Sequence, residues 1–280
     1  MTTEPIDQIF EVLVETAGEI RAGLSARQLP DEENPSGEQQ YAADVRADHL
    51  LEERLCNIDG VGTYASEERE RLIENGDGYS VTADPLDGSS NLESNNTVGT
   101  VLGVYDAPLP ASGRDLVAAA YVLYGPITTM IEAVGGTVTE YVIEDGERFV
   151  REAGVTIPDD PTVFGPGGRA PDWTPSFRSY VAEIENELKL RYGGSMVGDV
   201  SQVLSYGGIY SYPAFDSAPD GKLRLQFEGN PMAYVIESAG GRSSAGAGSI
   251  LDVEPESLHQ RTPVHLGNDG LIDRLESALS

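Results

Sequence analysis

The chain has 280 residues, of which 47 are acidic and 18 basic, so its formal net charge at pH 7 is −29. This charge excludes nucleic acid as a partner, because a phosphate backbone binds surfaces with excess positive charge. A single cysteine, Cys56, excludes an internal disulfide framework, and the absence of long apolar runs excludes a membrane span, so we expect a cytoplasmic protein.

Two of the 18 basic residues are lysines, Lys189 and Lys222. An acid-rich, lysine-poor composition is typical of cytoplasmic proteins from salt-accumulating halophiles, in which high ionic strength screens repulsion among surface charges. A merely acidic protein from a low-salt cytoplasm is the alternative. In either case an anionic ligand needs a local positive site, built from metal ions, arginines and backbone N–H groups.

The first predicted element is an amphipathic helix from about Ile6 to Leu29-Pro30, because its apolar residues recur every three or four positions. A polar loop over 28–40, expected to be mobile, precedes a second helix over 41–55. An apparent strand ends at Ala65, and another β-type run spans 79–83. Short β-rich runs between 98 and 150, broken by Gly, Pro and charges, predict a largely antiparallel meander.

The Pro- and Gly-rich stretch over 157–175 is the predicted junction between two sub-structures. Beyond it, helices near 176–188, from Asp199 and over 231–239 alternate with strands over 208–212 and 223–227. The sequence therefore predicts an α/β fold in two sub-domains. Residues 1–157 would form helices and a largely antiparallel sheet that bind metal, and residues 158–280 an α/β unit. The segment SSAGAGS near residue 246 is expected to be flexible.

The main chemical motif is Asp84-Pro-Leu-Asp87-Gly-Ser-Ser-Asn91, which follows the β-type run over 79–83. Two carboxylates three residues apart across a proline-fixed turn can converge on one hard cation, and the carbonyl of Leu86 can add a third oxygen. The N–H groups and hydroxyls of Gly88-Ser89-Ser90 suit a phosphate oxygen. D-P-x-D alone is more often an ordinary aspartate-capped turn, so the prediction depends on the full string.

Two other segments place acidic and basic side chains close together in sequence. Glu67 and Glu68 follow an apparent strand, although an exposed acidic patch is the alternative in so acidic a chain. Because an even number of positions separates Lys222, Arg224 and Glu228, an extended strand would place their side chains on one face. For that segment a half-exposed amphipathic strand is the alternative.

The motif at Asp84 resembles that of the metal-dependent sugar and inositol phosphatases. Three further segments, Arg191-Tyr-Gly-Gly-Ser-Met196, Tyr206-Gly-Gly-Ile-Tyr-Ser-Tyr212 and 221–232, are similar in order and spacing to class I fructose-1,6-bisphosphatases. The resemblance covers about residues 35–267. It implies a layered αβαβα fold, hydrolysis of the 1-phosphate of fructose 1,6-bisphosphate in gluconeogenesis, two or three Mg²⁺ ions per site with Mn²⁺ as a substitute, and a homodimer or homotetramer.

The resemblance also implies roles for individual residues. Metal ligands would be Glu67, Asp84, Asp87, Glu228, the carbonyl of Leu86 and, from the loop, Glu38, which replaces the family's aspartate. Glu68 with Asp44 would take the proton from the attacking water. Tyr192 and Tyr212 would line a distal 6-phosphate pocket, and Arg191 would reach a neighbouring subunit. The complete set expected to contact substrate is Gly88, Ser89, Ser90, Asn91, Arg169, Arg191, Tyr192, Met196, Tyr212, Lys222 and Arg224. The three histidines, His49, His259 and His265, would be structural.

Two positions depart from the family pattern. Pro166-Gly-Gly-Arg169 stands where the family has an N-E-G-Y-type turn, so an arginine would hold the 6-phosphate with different geometry. Gly78-Tyr79 stands where AMP-inhibited relatives have Lys-Tyr, so we expect weak or absent AMP inhibition. Alternative functions are sedoheptulose-1,7-bisphosphatase, inositol monophosphatase, and a cation-dependent sugar-phosphate-binding protein without turnover.

Overall fold

A computed structural model describes residues 4–25 and 41–280, which form two main sheets with helices on their faces. The helices are α1 (Glu4–Gly23), α2 (Ala42–Leu55), α3 (Pro175–Ile184), α4 (Met196–Tyr206), α5 (Asn230–Ser238) and α6 (Asp269–Leu279). The strands are β1 (Val61–Ser66), β2 (Ile73–Glu74), β3 (Tyr79–Asp87), β4 (Val98–Tyr105), β5 (Leu116–Tyr124), β6 (Thr128–Val134), β7 (Thr137–Glu144), β8 (Glu147–Ala153), β9 (Val163–Pro166), β10 (Lys189–Leu190), β11 (Gly208–Tyr212), β12 (Leu223–Arg224), β13 (Arg242–Ser244), β14 (Arg261–Thr262) and β15 (Val264–Gly267).

The first sheet has the order β2-β1-β3-β4-β5-β6-β7-β8. Its first crossover pairs β1 and β3 in parallel, and every pairing from β3 to β8 is antiparallel. The meander predicted over 98–150 is therefore confirmed. The second sheet has the order β10-β9-β11-β15-β13 and combines parallel and antiparallel pairs.

Alternation along the central strand β5 shows how the layers are built. Ala118 and Ala120 belong to one apolar cluster with the buried side of α1 and α2, whereas Ala119 and Tyr121 belong to another cluster with α4 and α5. Successive side chains of a strand point to opposite faces, so one strand supplies two cores. The second cluster continues into β15, and α3 and α6 cover the far side of the second sheet. The predicted αβαβα layering is thus confirmed.

The two predicted sub-domains share apolar packing. Val155 and Ile157 lie in the same buried cluster as residues of α4, α5 and β15, and the Ile157 N–H donates to the carbonyl of Ala239. The boundary at residue 157 stays a prediction. Among the described helices, none is long and apolar enough to cross a bilayer.

Several local predictions need correction. The first helix ends at Gly23, short of Leu29-Pro30, and α4 begins at Met196, before Asp199, because the Ser195 hydroxyl caps it by accepting from the Gly198 N–H. The segment SSAGAGS is held in place, since the Ser243 and Ser249 hydroxyls both donate to Glu237. Its expected flexibility stays a prediction.

The predicted strand over 223–227 is wrong. Strand β12 ends after two residues, at Arg224. The next segment, Leu225–Gly229, forms a π-helical turn in which the Asn230 N–H donates to the Leu225 carbonyl. The buried Gln226 side chain exchanges two hydrogen bonds of 2.9 and 2.8 Å with the main chain of Ala111. Because the side chain of Gln226 satisfies buried groups across the core, the segment coils there instead of pairing as a strand. The argument that even offsets align Lys222, Arg224 and Glu228 therefore fails.

Candidate active site

Three carboxylates from separate segments meet at one end of the first sheet. Glu67 follows β1, Asp84 lies in β3, and Glu228 lies in the π-helical turn; each offers an oxygen within 4.8 Å of the other two. Burial, followed by repulsion from Glu67, raises the pKa of Asp84 and of Glu228 well above the usual carboxyl range. Like charges this close in a dry environment are costly, so the arrangement favours a bound cation.

A cleft of 340 Å³ surrounds the three carboxylates. Its lining consists of Tyr41, Asp44, Glu67, Glu68, Asp84, Leu86, Asp87, Gly88, Ser89, Ser90 and Glu228. The fold thus brings together every predicted metal ligand within the described residues, and both predicted proton acceptors. Glu38 lies outside the described residues.

A β-bulge explains how Asp84 and Asp87 reach the same cleft. Asp84 is opposite Val101 and Asp87 is opposite Gly99, so three steps along β3 match two steps along β4. In a regular strand, residues three apart would point to opposite faces of the sheet, and the extra residue restores them to one face. Pro85 sits within the bulge, where a strand tolerates a missing N–H. The predicted proline-fixed turn is therefore a bulged strand.

Asp87 connects the cleft to the start of α4. Its two carboxylate oxygens accept the N–H groups of Met196 at 3.2 Å and Val197 at 2.8 Å. Burial raises the pKa of Asp87 to about 6, and these two bonds oppose the rise. A carboxylate at a helix N-terminus is stabilised by the free amides there. The Met196 side chain packs in the core, and its substrate contact stays a prediction.

Gly88 has to be glycine for two reasons. Its φ is 74°, in the left-handed region, and a Cβ there would lie 2.3 Å from the Cβ of Ser195. This close approach packs the segment Ser89–Leu92, a short 3₁₀ helix, against the turn before α4. The Asn91 side-chain amide strengthens the contact by donating to the carbonyls of Thr97 and Gly193.

The two predicted proton acceptors come from different layers. Asp44 is the third residue of α2, and its carboxylate accepts the Tyr41 N–H at 2.6 Å. Burial raises the pKa of Asp44 to about 7, against hydrogen bonds from Tyr41 and Ser89. Glu67 and Glu68 are the central residues of a turn closed by the Arg69 N–H donating to the Ser66 carbonyl at 3.1 Å.

Arg224 is 1% exposed and lies beside the carboxylates. Its Nε is 3.7 Å from Glu67 Oε1, and its main-chain N–H donates to Glu228 Oε2 at 2.5 Å. The single guanidinium offsets part of the negative charge of the cluster. The Lys222 side chain is exposed. Their contacts with a substrate phosphate stay predictions.

The predicted distal pocket is built around two tyrosines. The Gly168 N–H faces the Tyr192 hydroxyl, and a Cβ on Gly167 would lie 2.4 Å from the ring of Tyr212. The turn over 166–169 therefore packs against both tyrosines. Arg169 is exposed, with its Nε 3.7 Å from Asp172. Arg191, also exposed, lies 5.7 Å from the ring of Tyr206.

Sequence reasoning missed three buried polar side chains near the cleft. Asp199 accepts the Gly193 N–H at 2.7 Å, Gln226 fixes the π-helical turn, and Asp48 lies one turn after Asp44 on α2. The signals were present: Gln226 interrupts an apolar run, and Asp44, Asp48 and Glu52 recur every four residues. His259 Nε2, 2.8 Å from the Arg69 carbonyl, and His265, buried beside Phe177, contact other side chains or main chain outside the cleft.

The chain matches two family models, fructose-1-6-bisphosphatase N-terminal domain over residues 17–151 and C-terminal domain over 157–280. It is 60% identical to a class 1 fructose-1,6-bisphosphatase of Natronomonas pharaonis, covering 99% of both chains. It is 54% identical to one of Halobacterium salinarum, covering 98% and 97%. Both organisms are halophilic archaea, which agrees with the halophile-type composition of this chain.

Solved structures agree with these sequence matches. The fructose-1,6-bisphosphatase of Leishmania major in its holo form superposes with a TM-score of 0.92 at 28% identity, covering 99% of this chain and 95% of that one. A putative sedoheptulose-1,7-bisphosphatase of Toxoplasma gondii gives a TM-score of 0.91 at 29% identity with the same coverage.

We expect Gly88→Ala to destabilise the protein by about 3 kcal/mol, from left-handed strain and overpacking against Ser195. Gly240→Ala is the matched control, since Gly240 also has a left-handed φ of 81° but has no atom within 4 Å of the place that a Cβ would occupy. It should cost only about 1 kcal/mol. Urea unfolding measures both, and equal losses would show that Gly88 does not need the close approach.

The raised carboxyl pKa values predict that the metal-free protein loses stability as pH rises from about 4 to 7. In this range the folded chain retains protons on Asp87 and Asp44 that the unfolded chain, with carboxyl pKa values near 4, has released. The free energy of unfolding should fall by on the order of a few kcal/mol. Thermal unfolding with a chelator in molar KCl, which screens surface repulsion, tests this. A flat profile would contradict it, and Mg²⁺ should remove the decline.

Proposed function

The chain belongs to the class 1 fructose-1,6-bisphosphatase family, and we propose that it hydrolyses the 1-phosphate of fructose 1,6-bisphosphate, releasing fructose 6-phosphate and inorganic phosphate. It is a phosphoric monoester hydrolase, and this reaction would place it in gluconeogenesis. The observation that supports the proposal most directly is the set of carboxylate oxygens within 4.8 Å, beside the Gly88–Ser90 backbone in one cleft.

The donor set fits Mg²⁺. Carboxylate oxygens of Glu67, Asp84 and Glu228, with Asp87 and the carbonyl of Leu86 in the same cleft, are hard ligands of the kind that Mg²⁺ and Mn²⁺ prefer. When bound, such ions would neutralise phosphate oxygens and lower the pKa of a water molecule. Two or three ions per site, with Glu38 as a further ligand, are part of the proposal.

The protein's own groups would then bind, orient and accept a proton. Ser89 and Ser90 would hold the 1-phosphate through their N–H groups and hydroxyls, with Arg224 stabilising the charge on its equatorial oxygens. Glu68 with Asp44 would remove the proton from the attacking water. Burial raises the pKa of Asp44 to about 7 in the metal-free site, so its affinity for a proton is higher than that of an ordinary aspartate.

The 6-phosphate end of the substrate would bind in the distal pocket that is built around two tyrosines. The hydroxyls of Tyr192 and Tyr212 and the turn ending at Arg169 would hold the 6-phosphate, and Lys222 would add positive charge. In a homodimer or homotetramer, which we also propose, Arg191 would reach the neighbouring subunit's pocket. Its exposure, together with that of Leu190 and Tyr206, leaves this surface accessible to a partner.

Sedoheptulose-1,7-bisphosphatase is the second candidate, because a structure with that printed name superposes almost as well as the Leishmania enzyme. The two sugars differ in length, so the distance between the metal cluster and the tyrosine pair would decide the preference. A comparison of kcat/KM for the two bisphosphates would separate these activities.

A phosphate-release panel tests the proposed function. We expect release from fructose 1,6-bisphosphate with Mg²⁺, and loss of release when a chelator removes the ion, because the carboxylate cluster cannot hold the phosphate without positive charge. Sedoheptulose 1,7-bisphosphate and inositol phosphate serve as comparison substrates, at several salt concentrations. Binding of fructose 1,6-bisphosphate without release of phosphate would instead support a sugar-phosphate-binding protein.

Glu68→Gln should lower kcat by about 10²-fold or more and leave KM largely unchanged, since the neutral amide cannot accept a proton. Steady-state phosphate release in Mg²⁺ measures both constants. Glu70→Gln is the control, because Glu70 is an exposed glutamate two residues away on the same segment and should have wild-type kinetics. Wild-type turnover by Glu68→Gln would remove Glu68 from the reaction.

A further inference from the structure

Arg69, directly after the two cleft glutamates, joins their turn to helix α2. Its Nε donates to Asp48 Oδ2 at 2.5 Å, and its Nη2 donates to Glu52 Oε2 at 2.5 Å. Asp48 is 5% exposed at its side chain, and its other oxygen accepts the buried Tyr64 hydroxyl at 3.0 Å. A guanidinium that bridges two carboxylates, one of them buried, has a more defined geometry than an exposed ion pair.

The main chain of Arg69 is fixed as well. Its N–H closes the turn onto the Ser66 carbonyl at 3.1 Å, and its carbonyl lies 2.8 Å from His259 Nε2. The His259 ring in turn packs 5.2 Å from the ring of Phe227, which lies in the π-helical turn that carries Glu228. Arg69 is therefore held from three directions at the end of the turn whose centre is Glu67 and Glu68.

Helix α2 carries the other half of the arrangement. Asp44 and Asp48 are four residues apart, so they lie on the same face of the helix, with Asp44 lining the cleft and Asp48 bound to Arg69. The distance between Glu68 and Asp44 therefore depends on how the turn is docked against the helix. We propose that Arg69 is a positioning residue, which docks the turn on α2 through Asp48 and Glu52 and so sets the separation of Glu68 from Asp44.

This inference rests on the proposed function only in that Glu68 and Asp44 accept the proton of the attacking water. Arg69 lines no part of the cleft, so it would act through these two groups and not through substrate. The ion pairs of Arg69 with Asp48 and Glu52 are called the clamp below. Loss of the clamp should lower kcat and leave KM for the sugar bisphosphate unchanged, because the Gly88–Ser90 segment and the two pocket tyrosines are held by other contacts.

The kinetic test compares Arg69→Gln with Arg274→Gln. Arg274 is a matched control, since it likewise bridges two carboxylates four residues apart in sequence, Glu183 and Glu187. None of these three residues lines the cleft. We expect Arg69→Gln to lower kcat about 10-fold to 100-fold with KM within about twofold of wild type. Arg274→Gln should keep wild-type kcat and KM. Compared with Arg69→Gln, Arg69→Lys should recover part of the loss, since a lysine keeps the positive charge but lacks the planar fork that spans Asp48 and Glu52.

Asp48→Asn provides a second variant, which keeps an oxygen for the Tyr64 hydroxyl and removes the charge opposite Arg69. If the clamp works as a unit, the double variant with Arg69→Gln should lower kcat no more than the stronger single change does. Independent, multiplicative losses would overturn the proposal. So would a kcat of Arg69→Gln within about twofold of wild type in a folded protein.

A measurement without turnover separates this inference from the proposed function. Hydrogen exchange of the turn amides of Glu68 and Arg69 should become at least about 10-fold faster in Arg69→Gln and stay unchanged in Arg274→Gln, because the turn would open locally. Unchanged exchange would show that Arg69 does not hold the turn. If the wild-type chain released no phosphate, the proposed function would fail, and the exchange result would still decide whether the clamp exists.

Discussion

The repulsion among buried carboxylates is the constraint on which the rest of the structure depends. Oxygens of Glu67, Asp84 and Glu228 lie within 4.8 Å of one another, two of the three side chains are almost fully buried, and one guanidinium, that of Arg224, stands against them. Left alone, such groups would move apart or take up protons. The surrounding chain must therefore hold them rigidly, and a bound cation would supply the charge that makes the arrangement favourable.

Irregular backbone holds these residues in place. Asp84 and Asp87 flank a bulge in β3, Glu228 lies in a π-helical turn, and Glu67 lies in a tight turn after β1. In each case a regular element would point the side chain elsewhere. Each irregularity is fixed by buried hydrogen bonds, such as those of Gln226 to Ala111 and of Asp87 to the start of α4. The regular sheets and helices supply the stable frame, and the candidate metal ligands lie where the backbone departs from it.

The strongly negative chain also shapes the surface around the cleft. Most arginines of the described residues form ion pairs that join separate elements, as Arg242 does with Glu276 and Arg274 with Glu183. Exposed pairs of this kind contribute little stability each, and salt screens them. Attraction of a doubly phosphorylated sugar would consequently have to come from the site itself, through bound cations, backbone amides and the basic residues proposed to contact substrate.

Local patterns in the sequence determined the first helices, the antiparallel meander and the candidate pair Asp84 and Asp87, because hydrophobic period and carboxylate spacing depend on neighbours in the chain. Glu67 and Glu228 were predicted as ligands from the family resemblance. The acid-rich, lysine-poor composition typical of halophiles was also evident from the sequence alone. The bulge at Pro85, the end of β12 at Arg224 and the docking of Arg69 on α2 were decided by tertiary structure. Each depends on partners distant in the chain, such as Ala111 for Gln226 and His259 for Arg69, and no local pattern encodes which distant groups will satisfy a buried hydrogen bond.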